Sequence, residues 1–404
     1  MEHFATTTAG GAGTAVTRLD DALNKAGGVD SNITSLFDGK YSSGYIRYVL
    51  NHLPIGHKLL RGQLDRKFTP TWLPNLSHQT NNADVVHLHW VAGFLSPRTI
   101  REFEAPIVWT LHDMWPLTGG CHHAENCDGF IQQCGQCPAL NSTHQQDIST
   151  NQLQAYQAAL SGKKIYYIAP SKWMAAKAED SSIVQGPVKT IPNGIDTELF
   201  SPNDKELARK ELSIPTEANI ILTGGVNMKD DHIKGGDLLR EALGDLKNNV
   251  KVDQTIVLQF GNGTIDNIPF KTRSLGWVNP EQLPQVYSLA DVMAVPSRYE
   301  SFGQTAAEAS ACGTPVVAFD TSGLRDVVID GETGLLAKCY DIQDFSTKLA
   351  KILTSRKNRK IFGRRARDHA VTSWSFETVS SKHTRLYRDL FTSVEDEVNK
   401  LQQY

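Results

Sequence analysis

The chain has 404 residues, too many for one ordinary hydrophobic core and enough for two domains. Hydrophobic residues make up 40% and the formal net charge is −3, the balance of a globular chain without the basic excess of a nucleic-acid binder. No apolar run is long enough to span a bilayer, and no basic segment followed by an apolar core opens the sequence, so the expected location is cytoplasmic.

In chain order, a short strand over 3–6 precedes Thr8-Ala-Gly-Gly-Ala-Gly13, and a helix is expected from about 14 to 26. A glycine-rich turn between strand and helix admits phosphate or sugar close to the backbone, although tight turns also use glycine for steric reasons. Residues 32–37 read as a second strand. Residues 57–67 have the spacing of an amphipathic helix with a basic face, which is either a solvated face or a contact with an anionic membrane surface. The apolar runs 84–90 and 106–113 read as buried strands that end in His89-Trp90 and His112-Asp113. Ligands of open α/β sheets bind beyond the carboxyl ends of strands, so two histidines at successive strand ends mark a site.

Cys121, Cys127, Cys134 and Cys137 fall within seventeen residues, far from Cys312 and Cys339. Such a cluster in a cytosolic enzyme points to metal rather than disulfides, and four thiolates suffice for tetrahedral zinc. Cys134-Gly-Gln-Cys137 would be the knuckle-like pair of a structural clip. Reduced cysteines packed into the loop are the alternative.

A helix over 152–160, a strand over 164–169 and a strand with its turn over 188–196 follow. Asn193-Gly194 reads as turn chemistry. Strands are expected over 219–225 and 255–261 and a helix over 281–289, with Trp277 as a packing residue. Between the first two strands, Asp231-His-Ile-Lys-Gly-Gly236 opens a helix and sets the Lys234 ammonium where it can meet a diphosphate as a point charge.

The most informative stretch is Ser297-Arg-Tyr-Glu-Ser-Phe-Gly-Gln-Thr-Ala-Ala-Glu-Ala-Ser-Ala-Cys-Gly-Thr-Pro-Val-Val317. It lies between apolar strands over 291–296 and 315–319, and its alanine-rich run over 303–311 is a helix stopped by Gly313 and Pro315. Strand, loop, helix and strand make the unit of a parallel sheet. A helix N-terminus binds phosphate, Gly303 carries no Cβ to block it, and carboxylates suit vicinal hydroxyls. Glu300 and Glu308, eight residues apart, can therefore grip a nucleotide sugar at the helix mouth. Alternatively, Glu300 complements the helix dipole and Glu308 is a solvated helix residue.

Glu-x7-Glu followed by Gly-Thr-Pro-Val-Val resembles the donor-site signature of family-four retaining glycosyltransferases, which have the GT-B fold. The runs 320–326 and 330–336 are also similar to that family, and Trp115-Pro-Leu-Thr-Gly-Gly-Cys-His122 resembles a bacterial subset that builds exopolysaccharide. The resemblance implies two Rossmann-like α/β domains facing across a cleft, with a C-terminal helix that crosses back near 374–376. The expected domains are 1–168 with about 375–404 on the acceptor side, and 169–374 on the nucleotide-sugar side.

The resemblance also implies residue roles. Gly10 and Gly11 would face the donor, His112 would lie near the reacting sugar, and Val278 would mark the base pocket. Glu300 would bind sugar hydroxyls and Glu308 the ribose. The backbone around Ser301, Phe302, Gly303, Gln304 and Thr305, with Lys234, would hold the diphosphate. The family's usual phosphate-binding arginine is missing after residue 225, which leaves Lys229 as a substitute or Lys234 acting alone.

The implied reaction moves a hexosyl unit from a nucleoside diphosphate sugar, UDP being the commonest base, to a glycan or lipid-linked acceptor, with no catalytic metal. The sequence has no Asp-x-Asp run that would hold one. The rival readings are a GT-B epimerase or phosphorylase, or a non-catalytic sugar-nucleotide-binding module.

Overall fold

The computed structural model describes residues 1–36, 68–71 and 83–401, with side chains through residue 392. The amphipathic helix expected over 57–67 lies outside the described residues. The chain forms two compact units, residues 1–192 with 379–404, and residues 193–378.

The first unit contains six parallel strands, β1 (Glu2–Ala5), β2 (Asn32–Ser35), β3 (Val86–Leu88), β4 (Ile107–Thr110), β5 (Ile165–Ala169) and β6 (Val188–Thr190). Their order is β2-β1-β3-β4-β5-β6. Fully parallel sheets are covered on both faces, so their central strands are buried along their whole length, as the run Ile107-Val-Trp-Thr110 shows. Trp109 packs on one face with Phe4, Trp115, Tyr156 and Tyr167. Val108 packs on the other, against Leu19 and Leu23 of the helix Gly10–Ala26.

Val379, Leu386, Tyr387 and Leu390 of the last helix, Phe376–Leu401, complete that second face. Their spacing of seven, one and three residues is a single helical stripe, which is why this stretch returns to the first unit. The expected domain boundary at 168 falls too early. β6 pairs in parallel with β5, from Tyr167 with Val188 to Ala169 with Thr190, and so carries the first unit to Pro192.

The second unit has the parallel strands β7 (Asn219–Gly225), β8 (Thr255–Gly261), β9 (Lys271–Gly276), β10 (Val292–Val295), β11 (Val316–Phe319) and β12 (Gly334–Ala337), ordered β12-β11-β10-β7-β8-β9. Apolar clusters built around Tyr287 and Phe302, and around Phe345 and Leu349, cover its two faces.

Both sheets reverse direction of strand addition once, between β1 and β3 in the first and between β7 and β10 in the second. Crevices beyond the carboxyl ends of strands at such points are where ligands bind.

Two local expectations are corrected. The first helix starts at Gly10 rather than residue 14, so the glycine run forms its first turn. Trp277 is 70% exposed and packs little, because β9 is an edge strand with an exposed face. The basic stretch 356–367 does not turn wholly to solvent. Arg367 donates to the carbonyls of Thr197, Phe200 and Ala311, and Arg359 to those of Ile352 and Leu353.

Candidate active site

At the β7/β10 reversal the two connecting loops meet. Lys234 closes the 3-10 turn His232–Lys234 after β7, and Glu300 lies in the loop after β10. Lys234 Nζ is 2.8 Å from Glu300 Oε1, which also accepts from Ser297 Oγ at 2.9 Å. The Glu300 backbone N–H donates to Ser322 Oγ at 3.0 Å, so the loop is anchored from two sides. Burial disfavours the Lys234 ammonium, but the Glu300 carboxylate outweighs it and raises the lysine pKa. Arg298 braces the same loop through a two-pronged pair with Asp237, at 2.8 and 2.6 Å.

Gly235 has to be glycine for a steric reason. A Cβ there would lie 2.1 Å from the Pro296 carbonyl oxygen, so the loops could not close. Gly303 adopts φ +98°, and a Cβ would press on Leu324 at 2.8 Å. Its glycine is thus needed by the backbone and by packing, whatever the ligand.

Gly303 begins the helix Gln304–Ala311. Phe302 points its ring into the core, edge-on to Trp374 at 5.7 Å, which leaves only backbone groups for a ligand. Ser301 and Thr305 are half-buried. The Gln304 carboxamide accepts from Asn193 Nδ2, and its own Nε2 is buried with no hydrogen-bond partner among the described residues. Asn193 therefore does more than form a turn.

Glu308 is not a solvated helix residue. It is 5% exposed and accepts the Tyr287 phenol at 2.8 Å. Lys229, the candidate substitute for the missing arginine, sits on the surface and pairs with Asp266 at 2.8 Å. Val278 is half-buried against the apolar cluster of Tyr287. Ser297, Ser322 and Tyr287 carried no sequence signal as site residues, apart from Ser322 falling in the run 320–326.

In the first unit, the ends of β3 and β4 bring His89 and His112 together, with Nδ1 of His89 2.9 Å from Nε2 of His112. His89 is buried, so of the two only the half-buried His112 is available to a ligand. Burial pushes the His112 pKa down to about 4, against a smaller upward pull from Asp113, and the ring is neutral at physiological pH.

Asp113 does not hydrogen-bond to its sequence neighbour. It accepts His122 Nδ1 at 2.6 Å and Trp90 Nε1 at 2.8 Å. Burial opposes ionisation of Asp113, yet the His122 interactions hold its carboxyl below the usual range. His122 was not singled out by sequence. Around Gly10 and Gly11 a Cβ would meet no described residue within 4 Å, whereas at Gly13 it would collide with Thr8. Gly13 is thus a packing residue, whereas no described residue crowds Gly10 or Gly11.

All four clustered cysteines are free thiols lining one cavity of about 410 Å³ with His123 and Phe130. No three of their sulfurs lie within 4.8 Å of one another, whereas His3, His87 and His89 form such a group. A hydrogen bond from Cys121 lowers the Cys137 thiol to about 7, despite burial, and raises its partner. Cys134, Gly135 and Gln136 all have positive φ, and the Cys137 N–H is held by Asp147 at 3.0 Å.

Comparison with known proteins agrees with this layout. The model described as Glycosyltransferase Family 4 matches residues 9–199, and the one described as Glycosyl transferases group 1 matches residues 204–369. Sucrose-phosphate synthase from Thermosynechococcus elongatus superposes with TM-score 0.68 at 20% identity, covering 97% of this chain and 99% of that one. Anabaena HepE, solved in complex with UDP and glucose, gives 0.60 at 15% identity over 96% and 100%. These likenesses define a two-domain α/β protein of the GT-B fold.

A D-inositol 3-phosphate glycosyltransferase of Saccharomonospora viridis is 32% identical over 355 residues, 81% of this chain and 76% of that protein. The chain belongs to the family-four glycosyltransferases, whose reaction is glycosyl transfer.

Proposed function

We propose that this protein transfers a hexosyl unit from a nucleoside diphosphate sugar, UDP-linked, to a hydroxyl of a glycan or lipid-linked acceptor in polysaccharide biosynthesis, retaining anomeric configuration. One observation carries the reading: Lys234 and Glu300 meet at 2.8 Å at the β7/β10 reversal, beside the start of the helix Gln304–Ala311. The ammonium and the helix N–H groups suit a diphosphate, and the carboxylate suits sugar hydroxyls. The UDP and glucose in the HepE complex support the same donor class.

Lys234 and the backbone of residues 302–305 stabilise charge developing on the leaving diphosphate, so the transfer proceeds without a catalytic metal. Glu300 binds the sugar, Glu308 contributes at the ribose, and Val278 lies by the base. Gly10 and Gly11 leave room for the donor, and His112 takes a substrate hydroxyl. With no obvious nucleophile, a same-face mechanism in which the diphosphate helps to deprotonate the acceptor fits best.

Zinc on Cys121, Cys127, Cys134 and Cys137 would be a structural clip in this reading: the four thiols share one cavity wall, and the loop would have to draw their sulfurs closer together than in this structure to close round the ion. No helix among the described residues is long and apolar enough to cross a membrane. A cytoplasmic enzyme that meets lipid-linked acceptors peripherally is consistent with that.

The test is a thermal-shift screen of nucleotide sugars, followed by transfer assays on glycans, lipid-linked saccharides and D-inositol 3-phosphate. An α-linked product from an α-donor is expected. An inverted product, a new UDP-sugar formed without acceptor, or binding with neither hydrolysis nor transfer would overturn the reading.

A further inference from the structure

The first unit contains a chain of hydrogen bonds that runs from the helix Gly10–Ala26 through the sheet to His112. Asp20 Oδ1 accepts Ser31 Oγ at 2.5 Å, and Ser31 Oγ meets His3 Nε2 at 3.0 Å. His3 Nδ1 meets His89 Nε2 at 2.9 Å, and His89 Nδ1 meets His112 Nε2 at 2.9 Å. His3, His89 and Ser31 are buried, at 0%, 1% and 5% exposure, so solvent does not complete their bonds. Asn24 fixes Ser31 through both backbone groups of that residue.

The direction of the chain follows from counting protons. A hydroxyl has one proton, and a neutral imidazole has one N–H and one lone pair. A carboxylate only accepts, so Ser31 donates to Asp20 and must accept from His3 Nε2–H. His3 Nδ1 is then bare and accepts from His89 Nε2–H, and His89 Nδ1 accepts from His112 Nε2–H. His112 is left with its lone pair on Nδ1, which has no hydrogen-bond donor among the described residues.

We infer that Asp20, Ser31, His3 and His89 are positioning residues that fix His112 as the Nε2–H tautomer and present Nδ1 as an acceptor for a saccharide hydroxyl. This rests on the proposed meeting of His112 with a substrate hydroxyl, and it excludes a diphosphate oxygen as the partner of that nitrogen, since both would accept. Burial keeps the chain neutral, lowering His3 to about 3 and His112 to about 4.

A metal on His3, His87 and His89 is disfavoured because all six ring nitrogens are already paired. Those of His87 meet Tyr387 OH at 2.8 Å and Thr110 Oγ1 at 2.7 Å. The His87 ring instead walls the chain, with its centroid 4.1 Å from that of His89.

The experiment is nitrogen-15 NMR of the ligand-free full chain labelled on histidine nitrogens, with His112 assigned by His112→Gln. Wild type should show His3, His89 and His112 bare at Nδ1 and protonated at Nε2. Asp20→Ala frees the Ser31 proton to point at His3, so the Nδ1–H form of His112 should gain about tenfold, the equivalent of one hydrogen bond. Ser31→Ala should act in the same direction, and Ser31→Thr should match wild type.

An Nδ1–H His112 in wild type, or a His112 ratio that ignores both alanine variants, would overturn the inference. Transfer kinetics of His112→Ala test the underlying reading separately. An unchanged kcat would remove the substrate role while leaving the tautomer result standing.

Discussion

Glu300→Ala removes the carboxylate that receives Lys234 at 2.8 Å and Ser297 at 2.9 Å. The paired side chains are 29% and 17% exposed, so the pair is shielded but not dry. At an effective dielectric of about 20, two unit charges about 4 Å apart attract by about 4 kcal/mol, much of which is offset by desolvation. The variant leaves the ammonium without its partner, and a diphosphate supplies one. UDP affinity should therefore stay within about threefold of wild type or tighten.

The transition state fares differently. A hydrogen bond from a sugar hydroxyl to a charged carboxylate contributes about 1.5–3 kcal/mol. Two such bonds total about 3–6 kcal/mol, so at 1.36 kcal/mol per decade kcat should fall roughly 10²–10⁴-fold. Calorimetric titration of UDP alongside UDP release under saturating donor separates the two effects. A UDP Kd that rises in step with the loss of kcat, or a kcat within about threefold of wild type, would refute the assignment of Glu300 to the sugar. Glu300→Gln keeps hydrogen-bonding capacity without charge and should fall between.

Glu308→Ala removes the buried carboxylate that accepts from the Tyr287 phenol, which should destabilise the fold by about 1–3 kcal/mol and, if Glu308 serves the ribose, weaken UDP about tenfold. Thermal melts and the same titration read both. Acid should unfold the first unit early. Burial lowers His3 to about 3 and His383 and His112 to about 4, and lowers His87 and His89 as well.

Because the unfolded chain binds these protons near pH 6.5, the stability they contribute is complete above that value and is lost as pH falls toward 4. Each contributes about 1.4 kcal/mol per pH unit. Urea melts between pH 7 and 5 should show this slope, and His383→Gln should reduce it by one proton's worth. Metal analysis should find about one zinc per chain, absent in the Cys134→Ser/Cys137→Ser double variant, with transfer unaffected by a chelator too weak to strip it. Metal-free protein with a full cysteine loop would leave those thiols as packed, reduced residues.

Much of the layout is legible along the chain, because strand and helix periods are local properties. The expected strands over 219–225 and 255–261 coincide with β7 and β8, and the alanine-rich run after Gly303 is a helix. Lys234 and Glu300 were identifiable separately, each beside a strand end. Their meeting depends on β10 pairing with β7, a parallel register that neighbouring residues do not encode.

The same physics hid the rest. A sequence shows that Asp113 follows His112, but in the bend after β4 the aspartate turns instead to His122 and Trp90, partners that only the folded loop brings within reach. Glu308 has the spacing of a ligand residue, and only packing reveals that Tyr287 holds it. His3 and His89, 86 positions apart, share a proton because β1 and β3 lie side by side. Residue type and local period were set by the sequence alone. Which polar atoms become partners was decided by tertiary structure, since a hydrogen bond acts over about 3 Å and only the assembled sheet brings distant residues that close.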